Sequence, residues 1–319
     1  MKKALKPLCI LTAAVMIISV LVLSVSAQKD GSEEETPALG LPDDISADSD
    51  FIIRIVHTND IHARIEENES GGIIGAARLK TVKDSFIKDC DMSFTFDSGD
   101  IYHGLSIATV SQGESVTEVI NAIGYDAITV GNHDWNYGQN RLPELVEKSG
   151  TVMLAGNVVK EDGKKFFSDE FLIKEVEKDG KTLKVGVFGV IDPEIYRMTS
   201  PKVLQGLTYT DAAQYANEAA KALRDRGCDV VIALSHAYSP DKLAEKVSGV
   251  DIWIVGHEHM LIDTTVTDPD GKTVPVYEDG YYLYGLGCYQ INVDLTDGGV
   301  HPYGKRRKSR FLPAADRGV

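Results

Sequence analysis

Positive charge is scarce in this chain. Its 33 Lys and Arg stand against 48 Asp and Glu, giving a net charge of −15 and a pI near 5.0. Such a surface repels nucleic-acid backbones and anionic lipid heads, which argues against duplex binding. A site that handles phosphate must therefore reverse the sign locally. Cysteine is also rare, with four in 319 residues, one of them (Cys9) in an apolar N-terminal run. The other three, Cys90, Cys228 and Cys288, are odd in number and at no metal-like spacing. They exclude a disulfide framework and read as apolar thiols in or beside strands. No internal repeat recurs. Glycine (29), proline (11) and the 43% apolar content are ordinary, excluding a collagen-like, coiled-coil or wholly disordered chain.

What is present begins with an address. Lys2, Lys3 and Lys6 precede the apolar run Leu8 to Val25, and Val25-Ser26-Ala27 offers small residues for cleavage. Residues 1–27 read as a secretory signal peptide, so the chain is expected outside the cytoplasm, extracellular, at the cell surface or periplasmic. The run is close to the length of a spanning helix, so a membrane is a partner only if the leader stays uncleaved. Cys9 lies too near the basic residues to serve as a lipid-attachment site. Residues 28–50, rich in Ser, Glu, Asp and Pro, read as a disordered acidic linker. At the other end, residues 298–319 carry Lys305-Arg-Arg-Lys-Ser-Arg and read as a disordered basic tail.

Between them, apolar runs alternate with amphipathic stretches. Strands are expected at Phe51–Val56, Met92–Phe96, Ala127–Val130, Leu183–Ile191, Val230–Leu234 and Ile252–Val255. Helices are expected at Ile73–Ile87, Glu114–Ile123, Arg141–Lys148, Asp211–Arg226 and Pro240–Val247. This alternation predicts an α/β protein with buried sheets. Beyond His259, the runs Ile262–Val266, Thr273–Tyr277, Tyr281–Tyr284 and Tyr289–Leu295 are joined by turn-rich segments, as in antiparallel hairpins.

The chemistry lies in what ends the strands. Five of them run into Asp60-Ile-His62, Asp97-Ser-Gly-Asp100, Gly131-Asn132-His133-Asp134, Ser235-His236 and Gly256-His257-Glu-His259. A single Asp or Asn there is usually a turn residue or helix cap. Five together supply the donor types that bind metals, at the sheet ends where ligands sit in open α/β folds. Asp60/His62 and His257/His259 are i, i+2 pairs, and in extended backbone each pair can aim both side chains at one centre. Gly99, Gly131 and Gly256 each precede a candidate ligand and allow a sharp turn or close backbone approach. The mixed nitrogen and oxygen donors suit Mn, Zn, Fe or Co better than Ca or Mg.

Asn59-Asp-x-His62, Gly99-Asp100, Gly131-Asn-His-Asp134, Ser235-His236 and Gly256-His-x-His259, in this order, resemble the calcineurin-like metallophosphoesterases. The His57-Thr-Asn-Asp-x-His62 opening is similar to the bacterial 5′-nucleotidase branch, which includes UDP-sugar hydrolases and 2′,3′-cyclic-nucleotide phosphodiesterases. The resemblance covers about Phe51 to Leu295, within a catalytic domain at 51–297. It implies a four-layer sandwich of two mixed β-sheets flanked by helices, with two divalent ions at the strand ends. By this resemblance Asp60, His62, Asp100 and His259 hold the first ion. Asp100, Asn132, His236 and His257 hold the second, with Asp100 bridging. Asn132 and His133 meet the substrate, and His133 contacts the phosphoryl oxygen or leaving group. Two ions bring more positive charge than Asp60 and Asp100 offset, so a phosphate is attracted despite the acidic surface.

The sequence departs from the family twice. Asn136 stands three residues after His133, where many 5′-nucleotidases have an Asp; an amide can hold the imidazole but stabilises an imidazolium less. Asn136-Tyr-Gly is similar to the cyclic-phosphodiesterase branch. The resemblance also implies a C-terminal domain whose aromatic and basic residues stack the base; nothing in this sequence is expected to match it, which reads either as a truncated product or as weak selectivity among phosphoesters. Asn157, in Ala155-Gly-Asn157, matches a family position near the site. His57 and Asp97 read as partners that orient the ligand histidines, and His103 and His301 as surface or turn residues. Trp135 and Tyr137 flank the His133 loop, to line the mouth or fill the core. The expected function is an exported two-metal phosphoesterase acting on nucleotides or related small phosphoesters, first of all a 5′-nucleotidase. The alternatives are hydrolysis of 2′,3′-cyclic nucleotides or UDP-sugars, and a metal-binding but idle interaction domain.

Overall fold

The computed structural model describes residues 49–295 and the backbone of 299–301. The expectations placed on the leader, on the linker up to residue 48 and on the basic run from Lys305 lie outside the described residues.

The first half of the chain forms β1 (Phe51–Thr58), α1 (Gly75–Phe86), β2 (Met92–Asp97), α2 (Ser106–Ser111), α3 (Glu114–Ile123), β3 (Ala127–Thr129), α4 (Arg141–Ser149) and β4 (Val152–Leu154). Helices link these strands, which lie side by side and parallel, so their carboxyl ends share one edge. Next come β5 (Val158–Lys160), β6 (Phe171–Lys178), β7 (Lys181–Ile191), β8 (Leu207–Tyr209), α5 (Ala212–Asp225), β9 (Val230–His236), α6 (Pro240–Ala244) and β10 (Ile252–Gly256). The hairpin β11 (Leu261–Thr267) and β12 (Thr273–Asp279) follows, then β13 (Gly287–Asp294) and β14 (Gly299–His301). One mixed sheet has the order β14-β13-β1-β2-β3-β4 and the other β11-β12-β10-β9-β7-β6, with β5 and β8 as a small antiparallel pair.

Strand alternation sorts the core into layers. Phe51, Ile53 and Ile55 of β1 join Ile232 and Leu234 of β9 and Ile254 of β10 in one buried cluster, between the sheets. The opposite faces pack on helices. Ile128 and Val130 share a cluster with Leu79, Ile120 and Leu142 of α1, α3 and α4. Val231, Ala233, Trp253 and Val255 share another with Tyr215, Ala219 and Leu223 of α5. The result is the expected four-layer sandwich of two mixed sheets. Among the described residues no helix is long and apolar enough to cross a membrane. Cys228 and Cys288 are buried free thiols and Cys90 is half-buried.

Two expectations need correction. Tyr281–Tyr284 is a turn, not a strand: Tyr282 and Leu283 have φ of 58°, a left-handed conformation that no strand accommodates. Residues 299–301, placed in the expected tail, instead pair through their backbone antiparallel with β13. The sequence reading also passes over β6, which pairs with β7 through Asp179 and Gly180, both at positive φ as the tight hairpin turn requires.

Candidate metal centre

The carboxyl ends of β1, β2 and β3 meet those of β9 and β10 across the gap between the sheets. Ser98 ties them: its amide donates to the Thr58 carbonyl at 3.0 Å and its hydroxyl to the Ile254 carbonyl at 3.0 Å. The Asp60 amide donates to the Gly99 carbonyl and the His62 amide to the Asp100 carbonyl, both at 2.9 Å. Gly131 is needed where it stands, since a Cβ there would lie 2.2 Å from Asp100 Oδ1.

Two groups of donors emerge. Asp60, His62 and His259 form one, Asp100, His236 and His257 the other, and each could hold a metal ion. Within the first, His62 Nε2 and His259 Nε2 are 3.2 Å apart, and Asp60 Oδ1 is 3.2 Å from His259 Nε2. Within the second, His236 Nε2 is 3.2 Å from His257 Nδ1. Asp100 Oδ2 reaches both, 3.4 Å from His236 Nε2 and 3.8 Å from His62 Nε2. Asp60 Oδ1 and Asn132 Oδ1 are buried without a hydrogen-bond partner. Orphaned oxygens and facing ring nitrogens form a donor set that a cation satisfies, so these residues fit a pair of divalent ions.

The electrostatics point the same way. Burial opposes charge on His236, yet Asp100 raises its pKa to about 10. Burial and then His236 push His257 down to about 4. Asp100 thus draws positive charge to His236, and that charge disfavours a proton on His257. Burial and the Asp60 carboxylate push Glu278 up to about 9, so it adds no third negative charge beneath the first group at neutral pH.

The chain builds this centre with strain. Asp60, His62, Asp100, His257 and His259 have φ between 47° and 98°, a region costly for residues with a Cβ and frequent at functional sites. The i, i+2 pairs are therefore not extended, and their side chains follow the turn geometry. Asp60 and His62 share one group, whereas His257 and His259 divide between the two. Backbone carbonyls orient the ligand rings: His62 Nδ1 lies 3.1 Å from the His103 carbonyl and His236 Nδ1 lies 2.7 Å from that of Ser98. His57 and Asp97 do not have the expected role. His57 Nε2 pairs with Asp279 and the Tyr289 hydroxyl, while Asp97 accepts from Thr58 Oγ1 and the Gly99 amide. Both brace strand ends.

His133 follows Asn132, its amide donating to Asp100 Oδ1 at 2.7 Å. Asn136 Nδ2 lies 3.0 Å from His133 Nδ1 and 3.0 Å from His103 Nδ1, and the two rings stack at 5.8 Å and 4°. His103 therefore belongs to the site, contrary to the surface role expected of it. Its signal in the sequence is only its place three residues after Asp100. Asp134 is the other omission: its carboxylate accepts the amides of Asp100, Ile101, Tyr102 and Gly131 at 2.8–3.0 Å. Burial and Asp100 push it up to about 6 against the pull of those amides. Asn157 does not join the site. Its amide holds the backbone of Ile191 and Thr210, so it clamps strands and is not placed to bind substrate. Trp135 is core, donating to the Tyr196 hydroxyl, and half-buried Tyr137 packs on His103. His301 is described only as backbone.

Comparison with known proteins places this centre in context. A family model described as calcineurin-like phosphoesterase matches residues 53–261. A 5′-nucleotidase of Diplobatis ommata is 30% identical over 273 residues, 76% of this chain and 46% of that protein. A 2′,3′-cyclic-nucleotide 2′-phosphodiesterase/3′-nucleotidase of Haemophilus influenzae is 28% identical, covering 78% of this chain and 43% of that one. The chain thus spans about half the length of these curated relatives. The structure of the calcineurin-like phosphoesterase YfkN from Bacillus subtilis superposes with a TM-score of 0.69 at 24% identity, covering 81% of this chain and 91% of that one.

Proposed function

The chain belongs to the calcineurin-like phosphoesterase family, and from that premise we propose that it hydrolyses nucleotide phosphate esters, 5′-monophosphates first among them. One observation carries this reading: two groups of metal donors share the reach of Asp100, with His133 beside them. Asp60, His62, His259 and Asp100 would hold one divalent ion; Asp100, Asn132, His236 and His257 would hold the other. Bound there, Mn, Zn, Fe or Co ions would polarise the phosphoryl oxygens and lower the pKa of water. Using Asn132 and four histidines instead of more carboxylates keeps the centre's charge positive, which draws a phosphate to an acidic body.

His133 is the group for the phosphoryl or leaving oxygen. With the Asn136 amide nitrogen donating to Nδ1, the proton of a neutral His133 ring resides on Nε2, where it can be given in a hydrogen bond. Asn136 thereby positions the ring. That amide also supports a second reading, hydrolysis of 2′,3′-cyclic nucleotides, an activity that the Haemophilus influenzae relative's name states for that protein. Export rests on the leader of residues 1–27 and is tested by N-terminal sequencing of the protein recovered from outside the cytoplasm.

The deciding experiment is turnover of p-nitrophenyl phosphate by the purified chain with added Mn²⁺, followed by product analysis on AMP, 2′,3′-cyclic AMP and a UDP-sugar. Phosphate release from AMP at the highest kcat/KM supports the first reading. A preference for the cyclic ester supports the second. Metal bound at two equivalents without turnover of any ester overturns both and favours an idle interaction domain.

A further inference from the structure

Resting on the nucleotide reading of the centre, we propose that the Tyr281–Tyr284 turn is a stacking platform for the substrate's base. The turn lies directly against the first group of donors. The Tyr281 ring is stacked on His259 at 4.8 Å and 16°. Tyr282 meets His62 edge-on at 5.5 Å and His259 at 5.6 Å. Tyr281 also touches both Tyr282 and Tyr284, at 4.5 and 5.0 Å.

Packing alone does not account for three tyrosines here. Leu283 and Leu286 are the residues of this segment that enter the core, at 2% exposure each. Tyr281 and Tyr282 remain half-buried, and Tyr284 is 41% exposed. A turn required only to connect β12 to β13 is normally made of Gly, Asn, Asp or Ser, which accept positive φ at little cost. This one holds Tyr282 and Leu283 at φ of 58°, and such strain persists only where the surroundings enforce it. Those surroundings are specific. The Tyr282 amide donates to the carbonyl of Asp60 at 2.9 Å, and the Ile74 amide to the carbonyl of Leu283 at 3.0 Å. The Arg64 guanidinium covers the Tyr282 ring at 3.2 Å from its centroid. The aromatic group is thus fixed to the loop that carries Asp60 and His62.

Two exposed apolar side chains also stand beside site histidines in the sequence. Leu105 is 40% exposed and Met260 57% exposed; one follows His103 and the other follows His259. A base is flat, neutral and aromatic, and stacks on such rings without regard to its sequence identity. A nucleotide whose phosphate sits at the two donor groups has its base bound by side chains beside them, and the Tyr281 and Tyr282 rings lie against His259 and His62.

The test compares kcat/KM for AMP with kcat/KM for ribose 5-phosphate, which lacks the base, in the Mn²⁺-loaded full chain and in Tyr284→Ala and Tyr281→Ala. The AMP to ribose 5-phosphate ratio should fall about tenfold in each variant, in line with the stacking contribution of one aromatic side chain, and Tyr284→Phe should restore it. An unchanged ratio overturns the platform and leaves the three tyrosines as a packing surface for another protein segment. Saturation-transfer NMR with adenosine separates this proposal from the reading it rests on. Transfer to the base protons, lost in the double variant, supports the platform even if neither ester is hydrolysed, in which case only the hydrolase reading fails. Absence of transfer in the unaltered chain overturns the platform whatever the turnover.

Discussion

At the scale of single residues, the two acidic ligands of the donor groups differ in what their loss would do. Asp100 Oδ2 stands within 3.8 Å of a ligand ring in each group, whereas Asp60 serves the first group alone. Asp100→Ala should therefore empty both sites, and Asp60→Ala should lower the first preferentially. Metal analysis after gel filtration checks this, and an Asp100→Ala protein retaining two equivalents would contradict the bridging role. His133 contributes no donor to either group. His133→Ala should retain both ions and lose turnover by ~10²–10⁴-fold, the usual contribution of a positioned proton donor. His103 meets His133 by ring stacking and through the shared Asn136 amide, so His103→Ala should cost less, roughly tenfold, as partners of site histidines do. Because one amide serves both rings, the losses in His103→Ala and His133→Ala should not add. A double-mutant cycle on kcat reads that coupling, and strict additivity would show that Asn136 does not join the two.

Among the connecting loops, Asp134 is the residue on which the turns after β2 and β3 depend. One carboxylate gathers amides from the turns after β2 and β3, and those turns carry Asp100 and Asn132. Asp134→Asn replaces an acceptor by an NH₂ that faces donors, leaving two amides unmatched. Each buried unsatisfied donor costs ~1–3 kcal/mol, so urea unfolding should show a loss of ~2–6 kcal/mol. An unchanged midpoint would mean the turns hold without it. This dependence was only partly legible in the sequence. The strands and main helices could be read because apolar runs of the right length have no better place than a buried sheet or helix face. The donors could be read because each ends such a run. The roles of Asp134 and His103 could not, since they depend on which loop lies across the gap. The Tyr281–Tyr284 turn misleads for a related reason: tyrosine favours strands, and bonds from Tyr282 to Asp60 and from Ile74 to Leu283 override that preference. β6 is hidden by its charges, as expected of an edge strand with one solvated face. The Asp179-Gly180 turn beside it was the available cue.

For the molecule as a whole, the donors come from both sheets. Asp60, His62 and Asp100 follow β1 and β2 in one, while His236 ends β9 and His257 and His259 follow β10 in the other. Ions held there would staple the layers at one edge, in addition to the apolar cluster between the sheets. Binding to the folded chain alone stabilises by ~2.7 kcal/mol per site at a hundredfold excess over Kd. For a domain of this size each kcal/mol corresponds to ~2–4 °C in Tm. Chelation with EDTA should thus lower Tm by ~10–20 °C, and added Mn²⁺ should restore it. The loss should be local as well as global, because the apolar cluster between the sheets owes nothing to the ions. Hydrogen exchange should accelerate at residues 59–63, 98–104 and 256–260 on chelation, while the centres of β1, β7 and β9 stay protected. Uniform acceleration through those strands would show that the ions stabilise the sandwich throughout, and no acceleration would show that the loops are rigid without them.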